Sequence, residues 1–287
     1  QIVYRAFYPI AFLLVRYAFL FLRNGRTFWF FFWWIAAWVL IRSRFVEPYQ
    51  IVVKDTFIDI GAEKNIALIA DLHVWVYKDR RFLQRVVHTI NDRKDIDYVL
   101  IAGDLTYEPT DKQSLNELLE PLGDIQVPVF AVLWNHDVEV PWPDLRDELI
   151  STLDMHGVIF LHNDIVQLES MYILWLGPYL SNEDEVGIID TFKESDKLVV
   201  LTHNPDTTSK YMSNKADVTL VWHTHCGQVR PPLLYPFIRK KILPVEGDFD
   251  CGYSEEEYTK LFITRWLGEV ILPLRFFNPP SIDIIHL

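Results

Sequence analysis

Five short apolar runs, each ending abruptly in polar side chains, are the feature that most constrains the fold of this chain. The runs cover residues 66–70, 98–102, 127–133, 198–202 and 218–221. An apolar run of this length with no polar alternation is typical of a strand buried on both faces, as in parallel sheets. Open α/β sheets keep their ligand sites at the carboxyl ends of the strands. The polar groups that follow the runs are therefore expected to meet at one edge.

These polar groups are of the kinds that bind metal ions. Alternate residues of an extended chain point the same way, so Asp-x-His and His-x-His pairs can face one ion. Carboxylates combined with imidazoles suit Mn²⁺, Fe or Zn²⁺ better than Ca²⁺ or Mg²⁺. The ligand set is too large for one tetrahedral ion and predicts two divalent ions that share a bridge. In chain order the clusters are Asp71-Leu72-His73, Gly103-Asp104, Asn135-His136-Asp137, His203 and His223-Thr224-His225.

The rest of the chain after residue 46 alternates strands with helices and then becomes richer in strands. This order predicts a mixed α/β layered domain over residues 47–287. Helices are predicted at residues 79–91, 112–119, 144–155 and 183–193, and further strands at 51–53, 158–161, 172–176, 261–264 and 282–285.

Charge separates the N-terminal segment from this domain. The first 46 residues contain six arginines and no acidic residue, which leaves 21 basic and 39 acidic residues, a charge of −18, for the rest. A domain this acidic argues against nucleic acid as a partner. The two cysteines provide no disulfide framework and favour a reducing compartment.

The composition of the N-terminal segment predicts a membrane anchor. Residues 6–22 are apolar apart from Arg16, and residues 27–41 are uncharged. Both are shorter than the roughly 20 residues of a full span. Three arrangements stay open: a thin helical hairpin, one span with an interfacial helix, or an anchor within one leaflet. Arg42 and Arg44 place the domain on the cytoplasmic face by the positive-inside rule, although the basic turn at residues 23–26 weakens that argument.

In order and spacing, the five clusters resemble those of the calcineurin-like metallophosphoesterase family. Its pattern is D-x-H, G-D, G-N-H-D/E, H and G-H-x-H, and the likeness covers about residues 50–287. It looks closest to a membrane-anchored bacterial branch, which is similar to the enzymes that cleave UDP-diacylglucosamine. The residues that carry this second likeness are Tyr107-Glu108-Pro109, His225-Cys226-Gly227-Gln228 and the tail at residues 275–280.

The resemblance implies a four-layer α/β/β/α sandwich and a two-metal site. Hydroxide activated between the ions would attack phosphorus, His136 would protonate or stabilise the leaving oxygen, and Asp137 would orient His136. Asn204 and Gln228 would contact the substrate. The implied ligands are Asp71, His73, Asp104 and His225 for the first ion, and the bridging Asp104 with Asn135, His203 and His223 for the second.

Tryptophan stands where the family has glycine before two of the motifs, at positions 134 and 222. Positions 75, 175 and 266 show the same exchange, while every expected ligand is intact. Some bacteria read the UGA codon as glycine, so we hypothesise that a translation with the wrong code produced these tryptophans. The chain has 11 Gly and 10 Trp. Returning every Trp to Gly, Trp142 and the four in the anchor included, would raise glycine from about 4% to about the usual 7%.

These features predict a membrane-anchored phosphohydrolase that cleaves a phosphate ester or pyrophosphate. The anchor favours a lipid-linked substrate through proximity alone. The alternative is a non-catalytic, membrane-tethered binding module that keeps its metal ions but has lost turnover.

Overall fold

Two six-stranded sheets packed face to face form the centre of the protein. Strands buried on both faces are expected from the unbroken apolar runs, and the β-strands at residues 65–69, 98–102, 129–132, 198–201 and 218–221 all arise from them. The computed structural model describes residues 2–75, 77–107, 114–138, 143–177, 184–223, 226–237, 249 and 251–287.

The first sheet is parallel except where its second and third strands meet, and that pair is antiparallel. A two-stranded parallel ribbon, β3 (Val74–Trp75) with β5 (Thr106–Tyr107), follows two of its strands at the site edge. The strands of the sheet, in spatial order, are β1 (Val52–Phe57), β14 (Ser281–His286), β2 (Asn65–Ile69), β4 (Tyr98–Ala102), β6 (Val129–Val132) and β7 (Val158–Phe160).

The second sheet has a parallel centre with an antiparallel strand at each edge. The sequence predicted neither edge strand, because both are half exposed and carry no continuous apolar run. In spatial order the strands are β12 (Gly252–Glu255), β13 (Lys260–Ile263), β11 (Val218–Val221), β10 (Leu198–Leu201), β9 (Met171–Trp175) and β8 (Ile165–Leu168).

Helices cover the outer face of the first sheet. In α3, Asp79 accepts a hydrogen bond from the Phe82 amide at 2.9 Å and so caps the first turn, and the apolar face from Phe82 to Ile90 is buried. Over the second sheet, 3₁₀ turns at Val186–Thr191 and Pro205–Lys210 form the outer layer of the described part, where the sequence predicted a longer helix. The α-helices of the domain are α3 (Arg80–Asp92), α4 (Leu115–Leu119), α5 (Asn135–Val138) and α6 (Arg146–Met155).

The four-layer α/β/β/α sandwich is thus confirmed. One apolar cluster lies between the sheets and a second lies between the first sheet and its helices. One feature was not expected: Cys226 and Cys251 are joined in a disulfide bond, contrary to the expectation from the cysteine count. Residues 108–113 and 139–142, which include Trp142 and the start of the second predicted helix, lie outside the described residues.

The N-terminal segment folds as a helical hairpin. Helices α1 (Ile2–Arg23) and α2 (Thr27–Ile41) pack antiparallel, and α2 continues through π and 3₁₀ turns to Tyr49. The segments Ala6–Arg23 (18 residues) and Thr27–Tyr49 (23 residues) are long and apolar enough to cross a membrane. They exceed the predicted lengths because the helical backbone continues at the C-terminal end of each, to Arg23 and through Arg42, Arg44 and Glu47 to Tyr49.

Candidate metal centre

Asp104 lies at the centre of the polar cluster formed by the strand ends. Its carboxylate belongs to two groups of potential metal ligands, and within each group all ligand atoms lie within 4.8 Å of one another. One group is His73, Asp104 and His136, and the other is Asp71, Asp104 and His203. A carboxylate shared by two ligand groups is the arrangement expected of a residue that bridges two ions.

His73 is oriented by the backbone of a distant loop. Its Nδ1 lies 2.9 Å from the carbonyl oxygen of Glu269, and its Nε2 lies 3.7 Å from Oδ2 of Asp104. An Nδ1–H that donates to a carbonyl leaves the Nε2 lone pair available for a cation. The imidazole is thus held in the tautomer that a metal ligand requires.

His203 of the second group follows β10, and its Nε2 contacts Nδ1 of His223, which follows β11. On the neighbouring strand end, Asn135 begins the short helix α5, and the His136 amide donates to Oδ1 of Asp104 at 3.1 Å. The two ligand groups, together with the contact between His203 and His223, join five of the seven predicted ligands: Asp71, His73, Asp104, His203 and His223. Of the other two, Asn135 directly precedes His136 in the chain, and His225 lies outside the described residues.

The backbone is strained at three of these positions. Asp71, His73 and Asp104 have φ angles of 47°, 44° and 50°, in the left-handed region that side chains rarely adopt. Such conformations cost about 1–3 kcal/mol each and cluster at functional sites. The loops are therefore shaped to aim these three side chains inward.

The donor set fits divalent cations. Asp71 is fully buried, and neither of its carboxylate oxygens accepts a hydrogen bond from any residue that the structure describes. A buried carboxylate without a donor is costly unless a cation balances it. Two carboxylates, three imidazoles and an amide are the ligands that Mn²⁺, Fe and Zn²⁺ accept.

The pKa shifts of the site residues also indicate that the ligand cluster lacks positive charge. The pKa of Asp71 is raised well above its usual range, first by burial and then by the neighbouring Asp104 carboxylate. Burial opposes ionisation of Asp104, yet the nearby imidazoles of His73 and His136 hold its pKa below the usual value. Burial lowers the pKa of His136 to about 4, so this imidazole is neutral at pH 7.

A comparison with protein families decides what this cluster is. The family model described as calcineurin-like phosphoesterase matches residues 64–227, which hold all of the clusters described above. The chain belongs to the calcineurin-like phosphoesterase family. The match confirms the resemblance noted in the sequence.

Several relatives share most of this phosphoesterase. It is 25% identical to the uncharacterised metallophosphoesterase YkuE of Bacillus subtilis, over 85% of this chain and 88% of the relative. It is 26% identical to phosphodiesterase YaeI of Escherichia coli, over 80% and 84%. An uncharacterised metallophosphoesterase of Helicobacter pylori is 27% identical over 79% of this chain, which spans only 60% of that protein.

The structure corrects the predicted role of Asp137. This carboxylate accepts hydrogen bonds from the amides of Leu105, Thr106 and Trp134 at 3.2, 2.9 and 3.1 Å, and from the Thr106 hydroxyl at 3.0 Å. It makes no hydrogen bond to the His136 ring, because its oxygens face the backbone of the 104–106 loop. Asp137 therefore fixes two ligand loops to each other rather than orienting His136.

The two residues predicted to contact the substrate both make hydrogen bonds within the protein. Asn204 is buried, and its Oδ1 accepts from the Asp206 amide at 2.9 Å, so it caps a 3₁₀ turn. Gln228 accepts from the Val270 amide at 3.0 Å and donates to the Leu274 carbonyl at 2.7 Å. Its amide therefore ties two loops together, and contact with a substrate stays a prediction for both residues.

Three of the unexpected tryptophans pack against the site. Trp134 stacks on His203 with ring centres 4.4 Å apart, Trp222 meets His203 edge-on at 5.5 Å, and Trp266 lies 5.9 Å from His73. The backbone of Trp75 has φ 117° and that of Trp266 has φ 58°, conformations that favour glycine. Within the described residues, the buried indole nitrogens of Trp175 and Trp222 find no acceptor, which is unusual for buried tryptophan.

A buried charged cluster behind His73 was missed by the sequence argument. The carboxylate of Glu269 contacts Nζ of Lys78 at 3.1 Å and Nε of Arg275 at 2.9 Å. Burial lowers the pKa of Lys78 to about 8, against the opposing effect of Glu269. No spacing in the sequence relates these three residues, because their loops meet only in the folded chain.

We predict that Gly268→Ala disturbs the metal centre. A Cβ at this position would lie 2.4 Å from Cβ of His73 and 2.7 Å from the Asp71 carbonyl oxygen, closer than real contacts allow. Overpacking of this kind costs about 1–3 kcal/mol. Displacing the support of a ligand weakens metal binding about 10–100-fold. Metal titration and thermal unfolding measure both effects.

The matched control is Gly187→Ala. Among the described residues, no atom apart from those of the chain neighbours lies within 4 Å of a Cβ built at Gly187, so this variant should bind metal and unfold like the unsubstituted protein. Equal metal affinity in the two variants would contradict the close support of His73 by the loop at Gly268.

Proposed function

We propose that the protein is a membrane-anchored phosphohydrolase that uses two divalent cations to cleave a phosphate ester or pyrophosphate of a lipid-linked substrate. The observation that carries the proposal is the membership of Asp104 in both ligand groups. The proposal keeps the ligand sets that the family resemblance implies. Asp71, His73 and His225 complete the first site, whereas the ligand groups of the structure place Asp71 with His203. Asn135, His203 and His223 complete the second.

When bound, the ions would supply Lewis acidity toward phosphoryl oxygens and neutralise charge that develops at phosphorus. The residues of the protein hold the ligand loops and the His136 imidazole in place. Asp137 fixes the 104–106 loop against the start of α5. The His136 ring lies 5.0 Å from that of His73 and 5.3 Å from that of Tyr107, at the border of the cluster. A neutral imidazole there can donate a hydrogen bond to the leaving oxygen.

Anchoring by the N-terminal hairpin is part of the proposal. The apolar side chains of α1 and α2 are largely exposed, as in Phe12 (67%) and Phe28 (73%), and water is a poor environment for them. A hairpin of two helices returns to the side from which it entered. With Arg42 and Arg44 at that end, we propose the cytoplasmic face for the domain. A zebrafish relative, 25% identical over 78% of this chain and 53% of its own length, is named a transmembrane protein with a metallophosphoesterase domain.

The test is metal-dependent hydrolysis by the full chain in detergent. The protein is stripped with a chelator, and Mn²⁺, Fe²⁺ or Zn²⁺ is then returned one at a time. Bis-p-nitrophenyl phosphate and p-nitrophenyl phosphate serve as diester and monoester. We expect about two ions per chain and hydrolysis that returns only with metal. One ion per chain, or hydrolysis that survives chelation, would refute the two-metal proposal.

A second candidate is a metal-retaining binding module without turnover. The observation that favours it is the indole of Trp134, which covers one face of the His203 ring. This candidate predicts that two ions bind while neither ester is hydrolysed, even after glycine is restored at positions 134 and 222.

A further inference from the structure

An exposed apolar rim borders the metal centre. Leu233, Phe237 and Ile271 expose 86%, 81% and 70% of their side-chain surface. Isolated exposed apolar residues are normal, but clustered ones on neighbouring loops mark a surface that another phase or molecule covers. We define the apolar rim as Leu233, Leu234, Phe237, Ile271, Leu272 and Phe277.

The two loops that carry the rim form one unit. The Arg230 amide donates to the Phe276 carbonyl at 2.8 Å, and Val229 pairs with Phe276 as an isolated parallel bridge. The side-chain amide of Gln228 adds bonds to the second loop. Residues 228–230 and 270–276 are therefore held side by side, and residues 231–237 continue directly from the first of these segments.

The same unit reaches the metal centre. The Ile271 amide donates to the hydroxyl of Tyr107 at 3.1 Å, and the Tyr107 ring lies 5.2 Å from that of His73. Two residues before Ile271, the Glu269 carbonyl holds Nδ1 of His73. The apolar rim therefore stands one residue layer from the ligand cluster.

At its other end this unit meets the N-terminal helices. The Arg275 amide donates to the Ser43 carbonyl at 2.8 Å, and the Asn278 amide donates to Oε1 of Glu47 at 2.6 Å. Lys78 also donates to the carbonyl of Pro48. The exposed apolar surface of the rim thus begins next to the point where the apolar hairpin leaves the domain.

We propose that the apolar rim lies in the membrane–water interface of the leaflet that the hairpin enters, so that the metal centre opens at the lipid surface. The bilayer is what covers the rim, because the rim continues the apolar surface of the N-terminal hairpin, which itself requires an apolar environment. Side chains at such an interface reach about 5–10 Å into the headgroup region. The substrate class is then a phosphoester whose acyl chains stay in the bilayer while its phosphate reaches the ions. This inference rests on the proposed function and adds the face by which the substrate arrives.

The test places an environment-sensitive fluorophore, nitrobenzoxadiazole, on single cysteines introduced into the full chain. The sites are Leu233→Cys and Ile271→Cys in the rim, Phe12→Cys in the hairpin, and Met212→Cys as the control. Met212 is exposed to 86%, as Leu233 is, but it lies beside the 3₁₀ turn at Val186–Thr191, which carries no rim residue: the next residue, Ser213, donates to the Asp190 carboxylate at 2.6 Å. The unsubstituted chain reports any labelling of Cys226 and Cys251.

The labelled proteins are reconstituted in vesicles of phosphatidylcholine and phosphatidylglycerol, with and without a nitroxide on the upper acyl chain. We expect blue-shifted emission and strong nitroxide quenching at positions 12, 233 and 271, and water-like, unquenched emission at position 212. Quenching at position 12 without quenching at 233 and 271 overturns the inference. Blue-shifted rim emission that nitroxide lipid does not quench indicates a protein partner or a second copy, and overturns it as well.

Hydrolysis of bis-p-nitrophenyl phosphate by the same samples separates this inference from the proposed function. This ester is water-soluble, so its hydrolysis needs the metal centre but not the rim. An active protein with an unquenched rim refutes the inference alone. A quenched rim in a protein that never hydrolyses the ester with any metal refutes the proposed function and leaves the membrane surface established.

Discussion

Replacing Asp104 by asparagine is expected to lower metal-dependent hydrolysis of bis-p-nitrophenyl phosphate by about 1,000-fold or more. A metal clamp is worth several kcal/mol of transition-state stabilisation, and each 1.4 kcal/mol is a factor of ten. Asp104 is the member shared by both ligand groups, so one substitution weakens both. Asparagine keeps the shape of the side chain but removes the charge that could bridge two cations.

Metal content and stability make this result specific. We expect Asp104→Asn to bind fewer than two ions per chain and to unfold at or above the temperature of the unsubstituted apo protein, because the mutation removes a buried carboxylate beside Asp71. Asp55→Asn is the control, since this exposed carboxylate binds Arg93 and His286 on the far side of the first sheet. Full activity in Asp104→Asn would refute the bridging role.

Restoring glycine at positions 134 and 222 together is expected to raise hydrolysis. Both indoles press on the His203 ring, and overpacking costs about 1–3 kcal/mol per site. If that whole cost falls on the reaction, its relief corresponds to a gain of about 5–160-fold per site. The measurement is the rate with bis-p-nitrophenyl phosphate at saturating metal, together with thermal unfolding.

The opposite hypothesis predicts the opposite sign. If the chain evolved with these tryptophans, removing a buried indole leaves a cavity that costs about 3–5 kcal/mol, and the double variant should unfold earlier with no gain in rate. Trp175→Gly is the matched control for burial, because Trp175 is 1% exposed and, within the described residues, makes no ring contact with a metal ligand. Restoring glycine there should leave the rate unchanged.

The codons decide the origin of the tryptophans independently of activity. The hypothesis requires UGA at positions 75, 134, 175, 222 and 266. The φ angles of 117° at Trp75 and 58° at Trp266 support it, since the fold holds these residues in conformations that suit glycine. Reading UGG at these positions in the gene would end the hypothesis.

The interior strands of the domain were predictable because a strand buried on both faces of its sheet has an unbroken apolar sequence. Strands β4 and β11 were predicted with their observed ends, and β2, β6 and β10 differ by two residues or fewer, since an unbroken apolar run is the signature of a strand covered on both faces. The edge strands β8 and β12 escaped prediction because one face of each meets solvent and their sequences alternate only weakly. The predicted helix at residues 183–193 shortened to a 3₁₀ turn at Val186–Thr191.

The sequence alone determined the metal-binding chemistry, the metallophosphoesterase family and the existence of an apolar N-terminal segment. These follow from residue types at short spacings, which local geometry translates directly into facing side chains. Tertiary structure decided which polar residues serve as scaffold. Asp137, Asn204 and Gln228 stand close to ligands in the chain. The side chains of Asp137 and Gln228 bond to backbone from other loops, and that of Asn204 caps its own turn. It also decided that the loop at Glu269 holds His73, and that the same loop joins an apolar rim to the N-terminal helices. Such contacts link residues up to about 230 positions apart, and no local pattern encodes them because only the packing of the two sheets brings those loops together.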